Sequence, residues 1–136
     1  MPESAPSEVG AEPKPRSVLV VEDDPETRHF YITVLTTQGF EIHEAHNGFQ
    51  ALEKAVALAP DLVLTDIAVP GLDGIELCRR LRADIRTCNV PVLAVTGYDD
   101  RRYPDRIIQA RANRVLLKPL DAAVLLAEAL RLLTEI

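Results

Sequence analysis

From Ser17 onward the chain alternates short apolar runs with longer amphipathic stretches, and few architectures accommodate that rhythm. A strand covered on both faces reads as an unbroken apolar run, whereas a helix lying on a sheet shows apolar residues every three or four positions. Repetition of the pair predicts βα units and a parallel sheet wrapped by helices on both sides. The first run, SVLVVE (17–22), is followed by Asp24 and Pro25 in the order of helix cap and first helical residue, then by an amphipathic stretch to Gln38 closed by Gly39. FEIHEA (40–45) alternates apolar and polar residues like an edge strand, and Asn47-Gly48 precedes a helical stretch halted by Pro60. DLVLTD (61–66) shows no alternation, which predicts a strand buried on both faces that ends on the carboxylate of Asp66. In GIELCRRLRAD (74–84), Ile75, Cys78 and Leu81 fall on one helical stripe, so Cys78 reads as a buried thiol. VPVLAVT (90–96) is a fourth strand ending on Thr96. The next helix starts near Tyr103 or Pro104, because proline fits only a first turn. RVLLK (114–118) is a short strand ending on Lys118, and Asp121 caps a last helix that reaches Thr134.

Composition bounds what such a chain does. It has 136 residues, 47% hydrophobic and 26% charged, enough for one core without disulfides or metal. Residues 1–16 hold four of the ten prolines and few apolar side chains, which predicts a flexible tail preceding a single domain over 17–136. The formal net charge of −6 disfavours direct binding to nucleic acid or to an anionic membrane. No apolar run approaches the roughly 20 residues that span a bilayer, and no signal peptide opens the chain, so a cytoplasmic location is expected. Cys78 and Cys88 match no metal or redox spacing and read as plain thiols. His43 and His46 sit on a strand and its exit, where they would not face one way, and His29 lies on the first helix as a surface or packing residue.

In parallel sheets of this kind, ligands bind at the carboxyl ends of the strands. Here those ends carry Glu22, Asp23 and Asp24, then Asp66, then Thr96, then Lys118. Glu22, Asp23 and Asp66 would repel one another unless a cation lay among them. Magnesium suits the set, since it takes oxygen ligands, keeps several waters and needs only one or two carboxylates. With that ion and Lys118 the formal charge cancels, so an anionic phosphate donor would not be repelled. Asp66 is then a candidate nucleophile toward phosphorus, Lys118 would neutralise charge on the equatorial oxygens, and Thr96 would offer its hydroxyl to the product.

The segments VLVVEDDP, DLVLTDIAVPGLDG, VLAVTG and LLKPL, in this order, resemble the receiver domain of bacterial two-component response regulators over residues 17–134. The resemblance implies a CheY-like, flavodoxin-like (βα)5 sandwich with a five-stranded parallel sheet of order 2-1-3-4-5. It implies that Asp66 accepts a phosphoryl group from a sensor histidine kinase or a histidine phosphotransfer protein. It further implies that Glu22, Asp23, Asp66 and the main-chain carbonyl of Ala68 hold Mg²⁺, and that Thr96 and Lys118 are the switch hydroxyl and the phosphate-pairing amine. Pro70, Gly71 and Gly74 match the loop after the acceptor. On this reading the chain is a stand-alone signalling domain, or a fragment holding one, and not an enzyme beyond its own phosphoryl transfer and slow hydrolysis. It would be read by a partner protein, or by a second copy, at the face of the fourth helix, fifth strand and fifth helix.

Some positions depart from the family pattern. Val115, Leu116 and Leu117 fill the stretch where an aromatic residue usually precedes the Lys-Pro pair, and Tyr98 or Tyr103 is either its substitute or a surface tyrosine. Arg111 stands where a glycine commonly ends the fourth helix, which with Pro104 predicts an atypical helix there. Leu126, Ala129 and Leu133 on the last helix are either a docking stripe or ordinary alanine–leucine filling. These departures keep a second reading open, an interaction module that does not switch by phosphorylation. An aspartyl phosphatase like the haloacid dehalogenases is disfavoured, because Glu22 stands where that family has its nucleophile and no cap segment is evident.

Overall fold

The structure is a computed structural model that describes residues 15–97 and 103–134, the side chains of residues 103 and 104 excepted. Residues 1–14 of the expected tail, and Tyr98, lie outside the described residues. Strands β1 (Ser17–Val21), β2 (Glu41–Ala45), β3 (Leu62–Asp66), β4 (Val92–Thr96) and β5 (Arg114–Leu117) alternate with helices α1 (Pro25–Thr36), α2 (Gly48–Leu58), α3 (Gly74–Ala83), α4 (Tyr103–Gln109) and α5 (Ala122–Thr134). Every neighbouring pair of strands is parallel and the order is β2-β1-β3-β4-β5. This is the flavodoxin-like doubly wound arrangement that the sequence predicts.

Local chemistry accounts for the boundaries. The Asp24 carboxylate accepts the Thr27 N–H at 2.9 Å, Asn47 the Gln50 N–H at 2.8 Å and Asp73 the Glu76 N–H at 2.9 Å, so side chains cap α1, α2 and α3. Pro25 takes the first turn of α1. At the far end of α4, Arg111 adopts a left-handed backbone with φ +69°. Its N–H donates to the Ile108 carbonyl at 2.8 Å and the Ala112 N–H to the Ile107 carbonyl at 3.2 Å, the paired bonds of a Schellman cap that glycine usually closes.

The sheet separates two apolar layers by the alternation of its side chains. Leu19, Val21, Val63, Val92 and Ala94 pack with α2, α3 and α4 through Ala51, Ile75, Leu81 and Ile107. Val18, Val20, Leu62, Leu64, Leu93 and Val95 pack with α1 and α5 through Tyr31, Leu35, Leu125 and Leu132. Cys78 is buried in the first layer, its Sγ 3.2 Å from the Ala110 carbonyl. On α5, Ala129 and Leu133 are buried in the second layer as ordinary filling, and Leu126 is half-buried against it. The large apolar residues exposed on α5 are Val124 and Leu130.

Candidate functional site

Register brings the strand ends into one row. Val21 lies opposite Thr65, Asp66 opposite Val95 and Thr96 opposite Leu117, so Glu22, Asp66, Thr96 and Lys118 emerge at the same edge. By alternation Glu22 extends the row of Val18 and Val20, and Asp66 that of Leu62 and Leu64, both facing α1 and α5. Thr96 extends the opposite row, of Val92 and Ala94.

Asp66 is only 5% exposed and both its oxygens are held. Oδ1 accepts the Ala68 N–H at 3.1 Å, and Oδ2 accepts from the ammonium of Lys118. Gly74 makes this close packing possible: a Cβ there would lie 2.6 Å from the Asp66 carbonyl oxygen and 2.8 Å from the Ile67 Cα, and the Gly74 N–H donates to the Ile67 carbonyl at 2.8 Å. Lys118 is placed by β4, since its N–H donates to the Thr96 carbonyl at 2.9 Å, and a cis peptide joins it to Pro119. Partial burial works against its charge, but the hydrogen bond and charge of Asp66 and the charge of Glu22 hold the ammonium above its ordinary pKa.

Glu22 is 1% exposed. Its Oε2 accepts the Asp24 N–H at 3.0 Å, whereas Oε1 has no hydrogen-bond partner and lies 3.6 Å from Lys118 Nζ. Burial pushes this carboxyl up to about 7; the Asp24 N–H pulls it back, the neighbouring Asp66 carboxylate adds to the rise, and Lys118 opposes it. Asp23 beside it is exposed. Among the described residues no group of three or more His, Cys, Asp or Glu side chains is placed to hold a metal by itself. Magnesium asks for less, one or two carboxylates with waters completing the shell. A buried carboxylate oxygen left without a donor, next to a second carboxylate, is a fitting ligand for such an ion.

Two supporting residues escape a sequence reading. Arg28 of α1 donates to the Glu22 carbonyl at 2.9 Å and the Asp23 carbonyl at 3.4 Å, while pairing with Glu44 at 3.0 Å, which ties the acidic loop to β2. Tyr31 is buried beneath the site, and burial together with the charges of Glu22 and Asp66 drives its phenol well above the usual range, so it stays neutral. The only signal for either was position on a helix that follows the acidic run. Thr96 is fully buried, and its hydroxyl reaches the Gly97 carbonyl at 3.5 Å; among the described residues no hydrogen bond joins it to Asp66. The structure thus brings Glu22, Asp66, Lys118 and the Ala68 amide together, with Thr96 adjacent and Asp23 on the rim. His43 pairs with Glu41 at 2.9 Å on β2, away from this edge. A groove of about 550 Å³ flanks the site, lined by Glu26, Thr27, Phe30, Tyr31, Lys118, Pro119 and Leu120.

Comparison with known proteins gives a consistent likeness. The sequence profile described as response regulator receiver domain matches residues 18–130. The chain is 32% identical over 107 residues to the polar-differentiation response regulator DivK of Brucella anthropi, covering 79% of this chain and 87% of that one. It is 33% identical over 116 residues to the DNA-binding dual master transcriptional regulator RpaA of Synechocystis sp., covering 85% of this chain but 48% of RpaA, so the chain spans about half the length of that relative. In structure it is similar to the receiver domain of the sensor histidine kinase PA1611 from Pseudomonas aeruginosa, with a TM-score of 0.83, 28% identity, and 90% of this chain and 100% of that one covered; in that crystal structure a magnesium ion is coordinated in the active-site cleft. No helix among the described residues is long and apolar enough to cross a membrane.

Proposed function

The chain belongs to the response regulator receiver domain family, and from that premise we propose that it is a phosphorylation-driven switch whose acceptor is Asp66. The observation that carries the reading is the pairing of a nearly buried Asp66 carboxylate with Lys118 at the strand ends, with Glu22 beside them. A carboxylate oxygen of Asp66 attacks the phosphorus of a phosphohistidine, an O–P bond forms as the N–P bond breaks, and the imidazole leaves. Lys118 pairs with the equatorial oxygens of the transferred group, and the Ala68 N–H keeps the acceptor carboxylate oriented. Glu22, Asp23, Asp66 and the Ala68 carbonyl would hold Mg²⁺, which when bound neutralises charge on the phosphoryl oxygens.

The donor is a sensor histidine kinase or a histidine phosphotransfer protein in the cytoplasm. The added group carries about −1.5 to −2 charge, which draws the Thr96 hydroxyl from Gly97 toward its oxygens. The face of α4, β5 and α5, where Ile108 (61%), Leu117 (56%) and Val124 (46%) are exposed, is the surface on which a partner protein or a second copy reads the change. The second reading, an interaction module that does not switch, draws on the Thr96 orientation and on Val115, an aliphatic residue packed against the α2–α4 layer.

Intact mass after incubation with magnesium and a small acyl-phosphate donor tests the proposal. One phosphoryl adduct is expected on the natural chain, none on Asp66→Asn and none with chelator. A natural chain that stays unmodified, both here and with phosphorylated sensor kinases, leaves the second reading standing.

A further inference from the structure

The net charge of the chain is −6, yet four arginines fall within residues 79–86, and part of this charge gathers away from the acidic strand ends. A cleft of about 190 Å³ lies between the C-terminal ends of α3 and α4, lined by Arg79, Arg82, Ala83, Gln109, Ala110 and Arg111. We propose that the juxtaposed guanidinium groups of Arg79, Arg82 and Arg111 form a binding site for a compact phosphate-bearing anion.

Arg82 is the fixed base of the cleft. Its Nε donates to the Arg111 carbonyl at 3.1 Å, Nη1 to the carbonyls of Val90 at 2.6 Å and Cys88 at 3.3 Å, and Nη2 to Asn113 Oδ1 at 2.9 Å. These acceptors are all uncharged, so the contacts orient the guanidinium without neutralising it. Among the described residues no carboxylate forms an ion pair with Arg82 or Arg111. Among the described residues Arg79 pairs only with Glu76, at 3.4 Å on the exposed face of its own helix, a pairing of little worth that a stronger anion would displace. Three like charges around one small cleft repel one another and call for a counter-charge.

Arg111 adds an independent observation. It occupies the left-handed cap of α4 at φ +69°, where glycine would close the same Schellman bonds without strain. The backbone bonds and the carbonyl that Arg82 uses would all survive with glycine there. A long cationic side chain at this position therefore does nothing for the cap, and it lies on the wall of the cleft. The planar fork of guanidinium matches phosphate oxygens two at a time. The size of the cleft suits one or two phosphate groups rather than a whole nucleotide or a folded partner.

Titration calorimetry and amide chemical-shift mapping on the full chain, with chelator present, test the site using inorganic pyrophosphate. Saturable binding is expected, with shifts centred on Ala83, Ala110 and Ala112. Arg111→Gly should raise the melting temperature while weakening pyrophosphate binding tenfold or more, opposite signs that a merely structural arginine would not produce. Arg79→Gln should weaken binding to a similar degree. A parallel arm with a nucleoside triphosphate identifies the source: equal affinity points to free phosphates, and affinity tenfold higher points to a nucleotide held by its phosphates. The proposal is overturned by absence of saturable binding, by shifts confined to Ala68 and Lys118, by unchanged affinity in Arg111→Gly, or by binding of polyglutamate without binding of pyrophosphate.

Discussion

Glu22 shows at the scale of one residue how burial sets up a receptive site. Its unfolded carboxyl ionises near 4.5, whereas in the folded chain burial pushes that value to about 7. Between these values the native state holds a proton that the unfolded state has lost, so the stability Glu22 contributes is fully present below pH 4.5 and is lost as pH rises through 7. Glu22→Gln keeps the shape and carries no charge at any pH. With chelator present, urea unfolding should show the variant equal to the natural chain near pH 4.5 and more stable by about 1–2 kcal/mol at pH 8, part of the full effect being offset by a weaker bond to the Asp24 N–H. A variant equally or less stable at pH 8 would show that Lys118 compensates the charge without help. The presence of Glu22, Asp66 and Lys118 at strand ends was readable from the sequence. The bare Oε1 of Glu22 was not, because it depends on which donors reach it across three strands. The contact of the Thr96 hydroxyl with the Gly97 carbonyl was likewise not readable, because alternation assigns a residue to a sheet face and not its hydroxyl to a partner.

At the scale of elements, caps and breakers determine where each βα unit starts and stops, and most were legible. Asp24 before Pro25, Asn47 before Gly48, and Asp121 are local signals, and each precedes the helix expected of it. The β3–α3 connection is less local. Gly74 begins α3 against the backbone of Asp66 and Ile67, and a methyl group in place of its hydrogen has nowhere to go. Gly74→Ala should therefore cost about 2–3 kcal/mol in urea unfolding. Because the strain falls on the carbonyl of Asp66 itself, the same variant should also slow uptake of phosphate from a small donor, whereas a purely remote defect would lower stability alone. The face that α5 turns inward was not legible, because with apolar residues on most of its circumference the pattern offers no single stripe. Leu125, Ala129, Leu132 and Leu133 are inward because α1 and the sheet already occupy that side.

At the scale of the whole molecule, the two apolar layers share one sheet, so both should melt in a single transition. A ligand held by β1 and β3 then stabilises all of it. Magnesium at about ten times its dissociation constant should raise unfolding free energy by about 1.4 kcal/mol, read as the difference between urea curves with the ion and with chelator. That increment should shrink in Asp66→Asn, and an undiminished increment would place the ion elsewhere. By itself the sequence determined the alternation of strand and helix, the acidic and basic residues at the strand ends, and the family likeness, because each is written in spacing along a continuous stretch of chain. Tertiary structure alone decided the rest. Lys118 meets Asp66 across 52 positions and Arg82 meets Asn113 across 31. Arg111, left-handed at the end of α4, lines the cleft beside residues of α3 some thirty positions earlier in the chain. Such pairings depend on how strands order and helices pack, and no local pattern encodes which distant partner satisfies, or fails to satisfy, a buried charge.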